Sequence, residues 1–140
     1  MKRSTLVVTV SLVAGIVVGF TADRLLHAQQ DQIRRTTMLQ TTLEGVPDKT
    51  AEVFLIEMAP GAATGRHSHP GSEMAYILEG SAAVEAGGNK TAITQRRGSL
   101  VYLTPNMVHD VRNPSRTETL KAIVFALYDK GKPTTVPAPQ

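Results

Sequence analysis

The 140-residue chain contains no cysteine and no tryptophan. Without cysteine there is no disulfide, no thiolate metal ligand and no lipoprotein attachment site, a composition compatible with any redox compartment. Aromatic residues make up 4 % of the chain, so its core must rely on Val, Leu, Ile, Ala and Met. Charge of one sign is also scarce. The formal charge is +3; setting aside Lys2, Arg3 and Arg24 against Asp23 in the first 28 residues leaves 12 basic and 11 acidic residues. That near balance offers no surface for nucleic acid. No phosphate loop is present, since Gly87-Gly88-Asn89 reads as a hairpin turn. Ser68 and Ser72 have no spare histidine to activate them, which excludes a serine hydrolase. No amphipathic helix of useful length follows residue 38, and there is no internal repeat.

What is present begins with a targeting segment over residues 1–28. Lys2 and Arg3 form a short positive flank, and residues 6–22 are an uncharged, mostly apolar run of 17. Signal-peptide cores run roughly 7–15 residues and membrane-spanning helices roughly 20, so a cleaved signal peptide and an uncleaved hydrophobic anchor helix both remain open. Leu26-His27-Ala28 supplies a small residue at a cleavage position. Under either option the positive flank places the following domain outside the cytoplasm, periplasmic or secreted, with the membrane touched only by residues 6–22 if the segment is retained. Residues 29–37 are polar and read as a linker or arm. Residues 38–130 hold short runs of β-branched and apolar residues at 52–58, 74–79, 82–86, 90–94, 99–103, 109–113 and 119–127, separated by Gly, Pro and Asn. Strands recurring about every ten residues argue for an all-β antiparallel sandwich or barrel, and 140 residues suffice for one such domain. Residues 131–140 contain three prolines and read as an irregular strap or tail.

The chemistry gathers in residues 61–80, GAATGRHSHPGSEMAYILEG. His67 and His69 lie two apart, so in an extended segment both imidazoles face one side, and the Pro70-Gly71 turn brings Glu73 back toward them. Two imidazoles and a carboxylate converging on a point suit a divalent metal. Of the four histidines, His27 lies in the targeting segment and the fourth, His109, opens a later strand. With Glu73 inward, Ala75 and Ile77 point inward too, while Met74, Tyr76 and Leu78 form an outward apolar row that needs a cover. His109, Val111 and Asn113 share one face of their strand. Arg66, beside the first ligand, is a candidate contact for an anionic substrate set against a solvated loop arginine. Tyr76 and Tyr102 read as packing residues, and Phe54, Leu55, Ile56 and Phe125 as lining the barrel or its outside.

These residues resemble the cupin superfamily. Its first motif is matched by Gly61, His67, His69, Glu73 and Gly80, and its second by Gly98, His109 and Asn113. In the second motif Thr104 and Asn106 stand where Pro and Gly are usual, with Pro105 displaced by one. The resemblance implies a cupin double-stranded β-helix barrel (a jelly roll) with His67, His69, Glu73 and His109 as ligands to Fe, Mn, Ni, Cu or Zn. The resemblance is to small quercetinase-like cupins. It therefore implies a metal-dependent oxidoreductase of the dioxygenase type acting on a small molecule, with Glu73 as a proton shuttle and a homodimer as the assembly. A non-catalytic binding or sensing module of the cell envelope, an envelope scaffold, and a cupin isomerase or lyase are the alternatives.

Overall fold

The computed structural model describes residues 32–88 and 91–139; the targeting segment expected at residues 1–28 lies outside them. The residues from Ile33 onward form one unit. Strand β9 (Leu120–Asp129) shows how the sequence builds it. Leu120, Ala122, Val124, Ala126 and Tyr128 are buried, and the residues between them are half-buried, the period-two pattern of a strand with one face on a core. Its neighbours are β2 (Val46–Met58) on one side and β4 (Ser72–Glu79) on the other, with β1 (Ile33–Leu43) and β7 (Leu100–Leu103) at the edges. A second five-stranded sheet runs β10 (Val136–Pro137), β3 (His67–Ser68), β8 (His109–Arg112), β5 (Ser81–Ala86), β6 (Ile93–Arg96). All pairings are antiparallel, and the described residues contain no helix.

The inner faces of the two sheets meet in the core. Met58, Ile77, Leu120 and Ala122 of the first sheet pack with Ala82 and Val84 of the second. Met58 and Leu120 are each 1 % exposed, and full burial of such a side chain stabilises by about 1.5–3 kcal/mol. The turn from β4 to β5 depends on Gly80, whose φ is +71° and where a Cβ would stand 3.0 Å from the Thr119 carbonyl oxygen. Asn106, at the motif position where Gly is usual, adopts φ 62°, the left-handed conformation that Asn tolerates best after Gly. The substitution therefore keeps the turn.

Several boundaries differ from the sequence reading. Ile33 to Thr37, expected within a linker, form the start of β1, paired with β2 from Ile33 opposite Met58 to Thr37 opposite Phe54. Arg35 and Thr37 explain why so polar a stretch holds: both bond the buried Glu52 of β2, Arg35 Nη2 at 2.7 Å and Thr37 Oγ1 at 2.9 Å. Strand β2 also begins six residues ahead of residue 52, and the strand expected at 90–94 is seen at Ile93–Arg96. The proline-bearing tail runs along the edge of the second sheet as a strap and adds β10 to it. Val136 pairs with Ser68 and Pro137 with His67, and the Ala138 amide donates to the Arg66 carbonyl.

Candidate metal centre

The register of β3 against β8 sets His67 directly opposite His109, and the extended chain carries His69 to the same side. The ring centroids lie 4.3 Å apart for His67 and His109, 4.8 Å for His67 and His69, and 5.1 Å for His69 and His109. Each ring is fixed by its own backbone carbonyl. His67 Nδ1 contacts Gly65 O at 2.7 Å, His69 Nδ1 contacts Thr134 O at 2.7 Å, and His109 Nδ1 contacts Met107 O at 2.9 Å. A carbonyl oxygen only accepts, so each Nδ1 carries the proton and donates it. The lone pair of every ring is thereby left on Nε2. His67 Nε2 and His69 Nε2 are 3.2 Å apart, two acceptors that repel unless a cation or proton lies between them. One nitrogen from each of the three rings falls within 4.8 Å of the others, a spacing able to hold a metal ion. The donor set fits a divalent transition metal, because neutral imidazole suits Fe, Ni, Cu and Zn alike.

Glu73, the second residue of β4, stands at the margin of this set. Its Oε2 is 3.4 Å from His69 Nε2, and its Oε1 accepts a hydrogen bond from the buried Tyr128 hydroxyl. The fourth expected ligand is thus close to one imidazole and outside the tight group of three. Burial shapes the protonation of these groups. It pushes His69 and His109 below the usual imidazole range, against the opposing pull of their carbonyl partners, and so keeps them as neutral donors. Burial raises Glu73, while the Tyr128 hydrogen bond and the neighbouring His109 and Arg35 draw it back down. Tyr128 is itself pushed up by burial and by the Glu73 carboxylate, so it stays a phenol and a donor.

The histidines open onto a chamber of about 220 Å³ between the sheets. Its walls are mostly apolar, among them Phe54, Ile56, Ala75, Ile77, Val101 and Val124. Other residues singled out in the sequence lie elsewhere. Arg66 pairs with Glu85 at 2.7 Å and does not line the chamber. Tyr76 and Tyr102 are exposed on the outer face of the first sheet. Asn113, 1 % exposed, is structural: its side-chain amide donates to the carbonyls of Met58, Ala59 and Glu118 and ties the end of β2 to the turn before β9.

Three contributors to the centre carried no motif. Tyr128 occupies the last inward position of the β9 alternation, and that parity is the signal that marks it. Arg35 sits on the unrecognised β1, and the Thr134 carbonyl, as backbone, leaves no trace in residue identity.

Two antiparallel sheets enclosing three convergent imidazoles define a small-molecule or metal-binding β-sandwich of the jelly-roll class. The model of the cupin domain matches residues 54–126, and the chain belongs to the cupin family. No curated protein matches the chain. Among solved structures, it is similar to an uncharacterised conserved protein with a double-stranded β-helix domain from Klebsiella pneumoniae (20 % identity, 78 % of this chain and 86 % of that one covered, TM-score 0.61). It is similar also to a cupin-like protein from Thermotoga maritima (24 %, 77 % of each chain, TM-score 0.60). A third is the DMSP lyase DddQ from Ruegeria pomeroyi (20 %, 78 % of this chain and 53 % of that one, TM-score 0.61). At these identities the likeness is one of fold.

Proposed function

We propose that this cupin is a metal-dependent enzyme acting on a small molecule outside the cytoplasm, with oxidoreductase chemistry of the dioxygenase type. One observation carries the reading: three imidazoles, each with its proton fixed on Nδ1 by a backbone carbonyl, direct Nε2 toward common ground at the wall of an apolar chamber. In this proposal His67, His69 and His109 hold a divalent transition metal and Glu73 is the fourth ligand. Such an ion, when bound, supplies Lewis acidity or activates dioxygen. The chain's own residues do the rest. The apolar walls exclude water, Tyr128 orients Glu73, and Glu73, raised by burial, takes up and returns a proton at Oε2. The chamber, at about 220 Å³, lies below the roughly 300–1,000 Å³ of sites for drug-sized ligands, which favours a single-ring substrate over a multi-ring flavonol.

A lyase or isomerase reaction would call on the same residues. DddQ, which shares the fold, is a lyase, and this keeps that reading as the second. The outward apolar residues of the first sheet support a homodimer, and the apolar run at residues 6–22 supports export. The test is metal content and turnover together. Protein purified from the exported fraction without chelator is expected to carry close to one divalent transition metal ion per chain by elemental analysis. His109→Ala should abolish that occupancy while leaving the β-sheet circular dichroism unchanged. Oxygen uptake with a panel of catechols then separates the dioxygenase from the lyase reading, and a metal-free wild-type protein would overturn both.

A further inference from the structure

Among the described residues lining the chamber, Arg35 is the only lysine or arginine. It reaches the inner face from β1, opposite Ile56, and Ile33 two residues before it joins the same wall. The side chain is held on two sides. Its guanidinium carbon lies 3.7 Å from the centroid of the Phe54 ring, and its Nη2 meets Glu52 Oε2 at 2.7 Å. Glu52 is fixed in turn by the Thr37 hydroxyl at 2.9 Å. Arg35, its side chain 37 % exposed, borders the chamber, whereas the Glu52 carboxylate, 8 % exposed, is not part of the lining. Among the described residues, no other group bonds the remaining guanidinium nitrogens. A planar fork held in place by a carboxylate and an aromatic face, with donors left over, is what bidentate recognition of a second carboxylate needs.

Charge balance points the same way. Glu52 and Glu73 flank Ala126 on the inner face, one on each neighbouring strand. With a divalent ion at the histidines, +2 from the ion and +1 from Arg35 against −1 each from Glu52 and Glu73 leaves +1. A singly charged anion brings the site to neutrality, and a neutral ligand does not.

We infer that the chamber takes a small monocarboxylate with an apolar body, its carboxylate gripped by Arg35 and its body lying between the apolar walls toward the histidines. This rests on the reading of the chamber as a metal-bearing small-molecule site. The size of the chamber, about 220 Å³, limits the body to one ring or a short chain.

The experiment compares benzoate with benzamide, two probes of one shape and different charge, by calorimetry on zinc-loaded protein whose zinc content is measured in the same samples. Wild-type protein is expected to bind benzoate roughly tenfold or more tightly than benzamide, the range of a charge-assisted hydrogen-bonded pair. Arg35→Met should reduce the preference to less than about twofold with zinc content unchanged. Arg35→Lys, which keeps the charge and the stem of the strand clamp, should fold if Arg35→Met does not and should show an intermediate preference, because it lacks the planar fork. A preference that persists in Arg35→Met would place the carboxylate on the zinc and overturn the inference. Absence of any preference in the wild type, or loss of thermal stability in the variants with the preference intact, would overturn it too and leave Arg35 as a clamp between β1 and β2. Failure to bind zinc would overturn the metal reading on which the inference rests, whereas zinc binding without a benzoate preference would overturn the inference and leave the metal reading standing.

Discussion

A carboxylate has two oxygens, and what one of them binds decides what the other can do. At Glu73 the Tyr128 hydroxyl occupies Oε1, and Oε2 is left toward His69. The phenol stabilises the ionised carboxylate against the burial that raises it. Tyr128→Phe keeps the aromatic body in its place and removes only the donor. Glu73 should then be pushed further up and lose its orientation, becoming a poorer ligand. Zinc affinity measured by calorimetry near pH 7 should fall roughly 10–100-fold, the usual cost of losing an outer hydrogen bond to a metal ligand. Circular dichroism should be unchanged. At this scale the sequence was informative where a residue type and its spacing carried the chemistry, as with His67, His69 and His109, now found within 4.8 Å of one another. It was silent where the partner was 55 residues away, as Tyr128 is from Glu73.

Among the elements, the shortest have the largest bearing on the site. Strand β3 is two residues long and carries His67; β10 is two residues long and lies next to it. Neither is visible as an apolar or alternating run, because two residues cannot display a period. Strand β1 is hidden for another reason. Nearly all of it is exposed, and it is held by Arg35 and Thr37 on Glu52 and by backbone pairing, so hydrophobic alternation has little to report. The strands with one face on the core, β4, β5, β8 and β9, were legible to within a residue or two because burial and period coincide there. The strap containing β10 makes a direct test possible. A chain ending at Lys132 lacks the Thr134 carbonyl that holds His69 Nδ1. Its zinc affinity should drop by about tenfold or more. Its melting temperature without metal should move by only a few degrees, since the strap residues Val136 and Pro137 are exposed and contribute little burial. Calorimetry and thermal denaturation on the same sample separate the two effects.

Over the whole molecule, the outer face of the first sheet is the surface still to be accounted for. The strand registers line up Leu55, Ile123, Tyr76 and Leu100 in one row across four strands, and Val53, Phe125, Met74 and Tyr102 in the next. Met74, Tyr76, Leu100 and Tyr102 are 37–62 % exposed, on a sheet that ends at β7 among the described residues. Two such faces packed together would cover each other, and a homodimer is the expected state in light scattering. Tyr76→Glu at the middle of the band should shift the protein to monomer at micromolar concentration without altering zinc content. Met74 and Tyr76 of the outward row were foreseen from the alternation of β4, whereas Leu78, expected beside them, is half-buried at an irregularity in the pairing of β4 with β9. The continuation of the row through β9 and β7 needed the registers, which no single strand encodes. The same long reach governs the order in which the centre can be completed. A chain emerging N-terminus first exposes His67 and His69, then His109, and only afterwards Thr134. The carbonyl that sets the proton of His69 is thus the last of the centre's parts to arrive. A metal ion met before Thr134 has emerged would find His69 without the carbonyl that sets its proton.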